Sequence, residues 1–174
     1  SFSVEERGWG RRSVRLPALD PATVEGGRGS RYAEPFRSRM GDRRKRCLGD
    51  ACGLTRLGVN LVTLGLDGQS ALRHWHTEED EFVYVLEGEV VLVTDDGEQV
   101  LRMGDCAGYP AGRRDGHHFV NRSGAPACYL EIGNRDPADS AAYPADDLTW
   151  VEDAHGEYYA HKDGRAYEPS PSRS

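Results

Sequence analysis

From residue 57 onward the chain breaks into short apolar runs, each closed by glycine or aspartate. Residues 57–66 end at Asp67-Gly68, residues 81–86 at Glu87-Gly88, and residues 90–94 at Asp95-Asp96-Gly97. The last of these closures is a hairpin signal, with residues 99–102 as the returning strand and Gly104-Asp105 as the next turn. Residues 116–121 and 128–132 supply two further strands. No helical periodicity lasts longer than about two turns. Many short strands spaced by turns predict an antiparallel sandwich or barrel rather than a helical fold. The 21 glycines and 9 prolines fit that prediction.

Length and charge narrow the class. A chain of 174 residues suggests one domain. Its net charge of −7 argues against a general nucleic-acid binder. No apolar run approaches the roughly 18 residues of a membrane span. Position 1 is Ser rather than Met, which hints at a trimmed start. The first residues hold no apolar segment of a secretory signal, and Cys47, Cys52, Cys106 and Cys128 are too few for a disulfide scaffold. A cytoplasmic setting is expected. Asn121-Arg122-Ser123 forms a glycosylation sequon, a pattern short enough to arise by chance.

Three segments are expected. Residues 1–46 read as an extended N-terminal arm, residues 47–135 as the β-domain, and residues 136–174 as a C-terminal extension packing on it, with mobile last residues. Within the arm, Arg28, Arg31, Arg37, Arg39, Arg43, Arg44, Lys45 and Arg46 make a basic stretch. An anion site is one meaning of such a run. A solvated arm is favoured, because aromatics are few and charge runs usually face water.

The densest chemical signal is His74-Trp75-His76, with Glu81 five residues on. Strand residues two apart share a face, so His74 and His76 aim at one point. A short polar turn, Thr77-Glu78-Glu79-Asp80, brings Glu81 to the start of the next strand. His117 and His118 open a later one. Three imidazoles and a carboxylate are a common shell for Fe, Mn, Ni, Zn or Cu. Four of the six histidines fall in these two places; His155 and His161 do not.

These residues resemble the cupin superfamily. Its first motif is matched by Gly68, five residues, His74-x-His76, four residues, Glu81, six residues and Gly88. Its second is matched by Gly104, five residues, Pro110-x-Gly112, and a histidine with asparagine four later, His117 and Asn121. The departure is a longer gap between Gly112 and the histidine. His117 is the expected fourth ligand, from its distance to Asn121, with His118 as the alternative. Alternation then puts Phe119 and Asn121 on the inward face with His117. The whole chain is also similar to small bacterial single-domain cupins through residues 48–54, 73–88, 115–122 and 129–133.

The resemblance implies an all-β cupin double-stranded β-helix, or jelly-roll barrel, carrying the N-terminal arm and an irregular C-terminal tail. It implies one divalent transition metal per chain (Fe, Mn, Ni or Zn) on His74, His76, Glu81 and His117, a small-molecule ligand, no nucleic acid or membrane partner, and a homodimer. Asn60, Tyr109 and Phe119 are candidate substrate-lining residues; no catalytic residue stands out. Cys106 reads as a buried, inert thiol, Cys47 and Cys52 as ordinary thiols, and Cys128 as a strand-interior residue. Glu78, Glu79 and Asp80 read as solvated turn residues, and Arg114 and Asp115 as plain loop residues. The expected function is a metal-dependent enzyme acting on a small metabolite by dioxygenase, isomerase, lyase or rearrangement chemistry. The alternative is a non-catalytic metal- or small-molecule-binding sensor or regulatory module, and no helix-turn-helix segment supports it.

Overall fold

A computed structural model describes residues 16–153 and 156–168. Residues 1–15 of the arm, His155 and the last residues expected to be mobile lie outside the described residues. The architecture is all-β, with three antiparallel sheets. Thirteen strands run in chain order: β1 (Gly27–Arg28), β2 (Arg43–Cys47), β3 (Leu57–Leu64), β4 (Trp75–His76), β5 (Glu81–Glu87), β6 (Glu89–Thr94), β7 (Gly97–Arg102), β8 (Cys106–Tyr109), β9 (His118–Val120), β10 (Ala127–Asn134), β11 (Ala141–Ala142), β12 (Thr149–Asp153) and β13 (Gly156–Ala160). Six strands form the large sheet in the order β1-β2-β3-β10-β5-β8, three form β7-β6-β9, and four form β13-β12-β11-β4.

The barrel core lies between the first two sheets. Directly opposed residues in an antiparallel pair share a face. Val62 opposes Tyr129, Tyr129 opposes Val85, and Leu64 opposes Ala127. All are fully buried and meet Val90, Leu92, Leu101 and Phe119 from the smaller sheet. A second core joins the two ends of the chain: Tyr32, Phe36 and Met40 pack with Leu72, Tyr143 and Leu148.

The boundary expected at residue 47 falls inside a strand. β2 pairs with β3 over its whole length, from Arg43 opposite Leu64 to Cys47 opposite Asn60, so the end of the basic stretch is sheet and not solvated arm. Local contacts take up its charges. Arg43 donates to the Gly29 carbonyl, Lys45 to Glu131, and Arg46, only 4% exposed, to the Val24 carbonyl. Long aliphatic stems let such side chains cover apolar surface while the charged heads find partners.

Asn121 closes the turn after β9. Its amide donates to the carbonyls of Leu64 and Ala125, and its oxygen accepts from the Ser123 amide and hydroxyl. With Asn121 fully buried, the sequon is a structural turn. The cysteines are free; Cys128 is buried as expected, whereas Cys106 is exposed, because its position on β8 faces outward opposite Tyr84. No helix among the described residues is long and apolar enough to cross a membrane.

Candidate metal centre

Three elements converge on one point. β4 carries His76, with His74 just before it; β5 begins at Glu81; and His117 precedes β9. A reciprocal pair of backbone bonds locks His74 to His117, His74 N to His117 O at 3.2 Å and His117 N to His74 O at 2.9 Å. Glu81 Oε2 lies 4.0 Å from His74 Nε2, 3.9 Å from His76 Nε2 and 3.3 Å from His117 Nε2. Ligand atoms at about 2.1 Å from one ion sit about 3.0–4.2 Å apart, so these spacings suit a shared ion. His74, His76 and Glu81 offer ligand atoms all within 4.8 Å of one another.

Protonation chemistry strengthens the fit. His74 Nδ1 lies 2.8 Å from the Leu72 carbonyl. A carbonyl only accepts, so Nδ1 carries the proton. Burial pushes the His74 imidazole down to about 4, with His117 and His76 adding to the drop against the pull of Glu81. The ring is therefore neutral near pH 7, and its Nε2 presents a lone pair. His76 Nδ1 lies 2.7 Å from Asp139 Oδ2. Desolvation pushes the Asp139 carboxyl up, but the Glu78 amide, His76 and the Glu79 amide outweigh it and hold it below its ordinary value. As an ionised acceptor, Asp139 likewise fixes the His76 proton on Nδ1. Burial would neutralise the Glu81 carboxyl, but the hydrogen bond and charge of His117, with His74 and His76, hold it ionised, at about 2. A carboxylate behind a ligating histidine is the usual way to orient the ring and raise its basicity.

His117 is 2% exposed and stacks face to face on Tyr109, ring centroids 3.4 Å apart. His118 is half-buried opposite Val93 on the alternate face of β9; the charges around it are Arg73 and Arg39, and burial lowers it to about 4. The structure therefore brings His117, and not His118, to Glu81. Of the candidate lining residues, Tyr109 faces inward opposite Glu81 with its buried hydroxyl unpartnered. Phe119 is a core residue beneath it, ring centroids 6.4 Å apart, and Asn60 points along the inner wall to Glu131, 3.0 Å away. A groove of about 290 Å³ beside the carboxylate is lined by Asp80, Glu81, Gly108, Tyr109 and Pro110.

The acidic turn is not merely solvated. Glu79 Oε1 accepts from the Asp136 amide, Asp80 Oδ1 from the Ala111 amide, and Glu79 groups with His76 and Asp139. Asp115 is tied in too, accepting from the Asp95 amide at 3.0 Å. Asp139 itself escaped the sequence: it lies 63 residues from His76, in a tail with no motif to mark it.

An antiparallel barrel with His74, His76 and His117 gathered around Glu81 at one inner position defines a jelly-roll class with a candidate metal site. The chain belongs to the cupin superfamily. Residues 60–133 match the family described as Cupin domain. A sugar phosphate isomerase of the cupin superfamily from Silicibacter pomeroyi is 45% identical, with 87% of this chain and 97% of that chain covered and a TM-score of 0.81. A candidate sugar phosphate isomerase from Acidithiobacillus ferrooxidans is 25% identical, covering 75% of this chain and 83% of that one, at a TM-score of 0.64. A polyketide cyclase from Streptomyces resistomycificus shares the fold at 20% identity and a TM-score of 0.58, over 75% of this chain and 87% of that one. No curated protein matches the chain at a significant level.

Proposed function

We propose that the protein is a metal-dependent cupin isomerase of a small phosphorylated sugar, with one divalent transition metal (Fe, Mn, Ni or Zn) held by His74, His76, Glu81 and His117. The observation that carries this is the convergence of His74, His76 and His117 Nε2 on Glu81 Oε2 at 4.0, 3.9 and 3.3 Å. The substrate class comes from the 45% identity to a sugar phosphate isomerase over nearly all of both chains. A divalent ion held there supplies Lewis acidity to a substrate carbonyl and its neighbouring hydroxyl.

The chain's own groups do the rest. The Leu72 carbonyl and Asp139 keep the protons of His74 and His76 on Nδ1, away from the shared point. Tyr109 covers one face of His117 and shields it from water. The apolar floor of Phe119 and Val83 sets the depth to which a substrate can enter. The acidic surface favours no polyanion, so a phosphate is met inside the barrel, where Arg43 faces inward.

The test is a panel of three- to six-carbon aldose and ketose phosphates incubated with anaerobically purified protein and followed by NMR. Interconversion of one pair, abolished by a chelator and restored by a divalent ion, is the expected result. No turnover of any member by metal-loaded protein would overturn the substrate class.

A homodimer is proposed as well. Phe82, Tyr84 and Leu86 form an outward row on β5, each about 40% exposed, and a second copy of the chain would cover them.

A further inference from the structure

The inner wall of the large sheet carries a second polar cluster, one strand away from the candidate metal centre. β10 runs between β3 and β5, and Glu131 on it opposes Asn60 on one side and Val83 on the other. Val83 and the next inward residue of β10, Tyr129, are fully buried in the barrel core, so Glu131 faces the same interior. Glu81 sits two residues from Val83 on the same face. Such diagonal neighbours in an antiparallel pair are about 7–8 Å apart. That separation leaves room for a substrate carbon between the two carboxylates.

The hydrogen bonding of Glu131 is lopsided. Lys45 Nζ donates to Oε1 at 2.5 Å, and Asn60 Nδ2 donates to the same oxygen at 3.0 Å. Oε2 accepts no hydrogen bond among the described residues. A purely structural buried ion pair stabilises only when its remaining lone pairs are also satisfied. Here the side chain keeps 21% of its surface exposed, and the next row toward the mouth is the glycine pair Gly58 and Gly133, which place no side chain over it. Glu131 is oriented through one oxygen and offers the other to the cavity.

The geometry points to Glu131 as the carboxylate that moves the proton in the isomerisation, with Lys45 and Asn60 positioning it. This rests on the isomerase reading above. Oε2 takes the proton from the carbon beside the substrate carbonyl. The C–H electron pair becomes the carbon–carbon double bond of an enediol, and the carbonyl π pair moves onto its oxygen. The carboxyl exchanges its proton with solvent and returns one to the former carbonyl carbon. The hydroxyl proton of the neighbouring carbon passes to the first oxygen as the new carbonyl forms. Atoms and electrons balance with no co-reactant. The charged and titratable groups facing Glu131 are Lys45, Arg43 and Cys47 on β2, Glu81 on β5 and Tyr129 on its own strand; Lys45 is the one in contact.

The experiment is solvent exchange in D2O, by NMR, of the protons beside the carbonyl of fructose 6-phosphate and ribulose 5-phosphate, with metal content measured on each variant. In Glu131→Gln the expected loss is about 10²–10⁴-fold in kcat, with metal content and KM unchanged. Lys45→Met lowers kcat with metal content and KM unchanged, because the carboxylate loses the donor that orients it; a merely structural pair would leave kcat in place. Exchange by wild type that persists in Glu131→Gln would overturn this role and leave the isomerase reading standing. Absence of exchange by metal-loaded wild type would overturn both.

Discussion

The two faces of the large sheet invert the usual pattern. Toward the barrel mouth its inner face carries Lys45, Asn60, Glu131, Glu81 and Tyr109. Its outer face carries Leu57, Val59, Leu61, Leu130, Ile132, Phe82, Tyr84 and Leu86, with Arg44 and Arg46 at the β2 side. Only the lower half of the inner face, with Val62, Leu64, Val83, Val85, Ala127 and Tyr129, reads as an ordinary core. Polar groups buried without water must be hydrogen-bonded or charge-paired. Those at the mouth form two linked sets, Glu81 with three histidines and Glu131 with Lys45 and Asn60, and this is the pattern of a ligand cavity. Away from β2 the outer face is apolar and is the pattern of a covered surface.

The largest effect on this contrast should come from the floor. Phe119→Ala removes the ring under Tyr109 and beside Tyr129, and should cost about 3–5 kcal/mol in denaturant unfolding. A loss of under about 1 kcal/mol would show that the floor is not a packed core. Next comes the orientation of His76. Asp139→Asn keeps the size of the side chain but can present an amide to Nδ1, releasing the tautomer. Metal affinity, read by competition with a chromogenic chelator, should fall about 10–100-fold, while the far-ultraviolet circular dichroism stays unchanged.

How much of this could be read in the sequence depends on the span of each contact. His74, His76, Glu81 and His117 were visible because their alternation and spacing are local, and the turns at Gly68, Gly88, Gly104 and Gly112 frame them. The barrel was visible for the same reason. Asp139 was not, because one acid among 29 has no mark until the tail folds back and β11 pairs with β4. Lys45 was hidden in a charge run that reads as solvated. Which face it takes depends on the register of β2 against β3, and register is a cross-strand property. Glu131 and Asn60 drew no strong signal singly and gain meaning only as opposed residues.

A smaller effect separates the two halves of the inner face by pH. In the metal-free protein, His74 titrates lower folded than unfolded, so its neutral form contributes stability above pH 6.5 that is lost as pH falls toward about 4. Glu81 is also depressed, so its contribution is present above its ordinary 4.5 and is lost as pH falls toward about 2. Melting temperature should therefore decline across the whole range from pH 6.5 to 2, and His74→Phe should flatten its upper part. The smallest effect on the folded chain itself concerns the outer face. Phe82→Ser with Tyr84→Ser should change monomer stability by only about 0.5 kcal/mol yet convert the dimer to a monomer in light scattering. A wild type that is already monomeric would remove the covered-surface explanation.

Elemental analysis of anaerobically purified protein, beside the triple variant His74→Ala, His76→Ala, Glu81→Ala, bears most directly on the claim that the inner mouth is a metal centre. The wild type should carry about one divalent transition-metal ion per chain, and the triple variant should carry none while keeping its β-sheet spectrum. A wild type without transition metal, or a triple variant with full metal content, would contradict it.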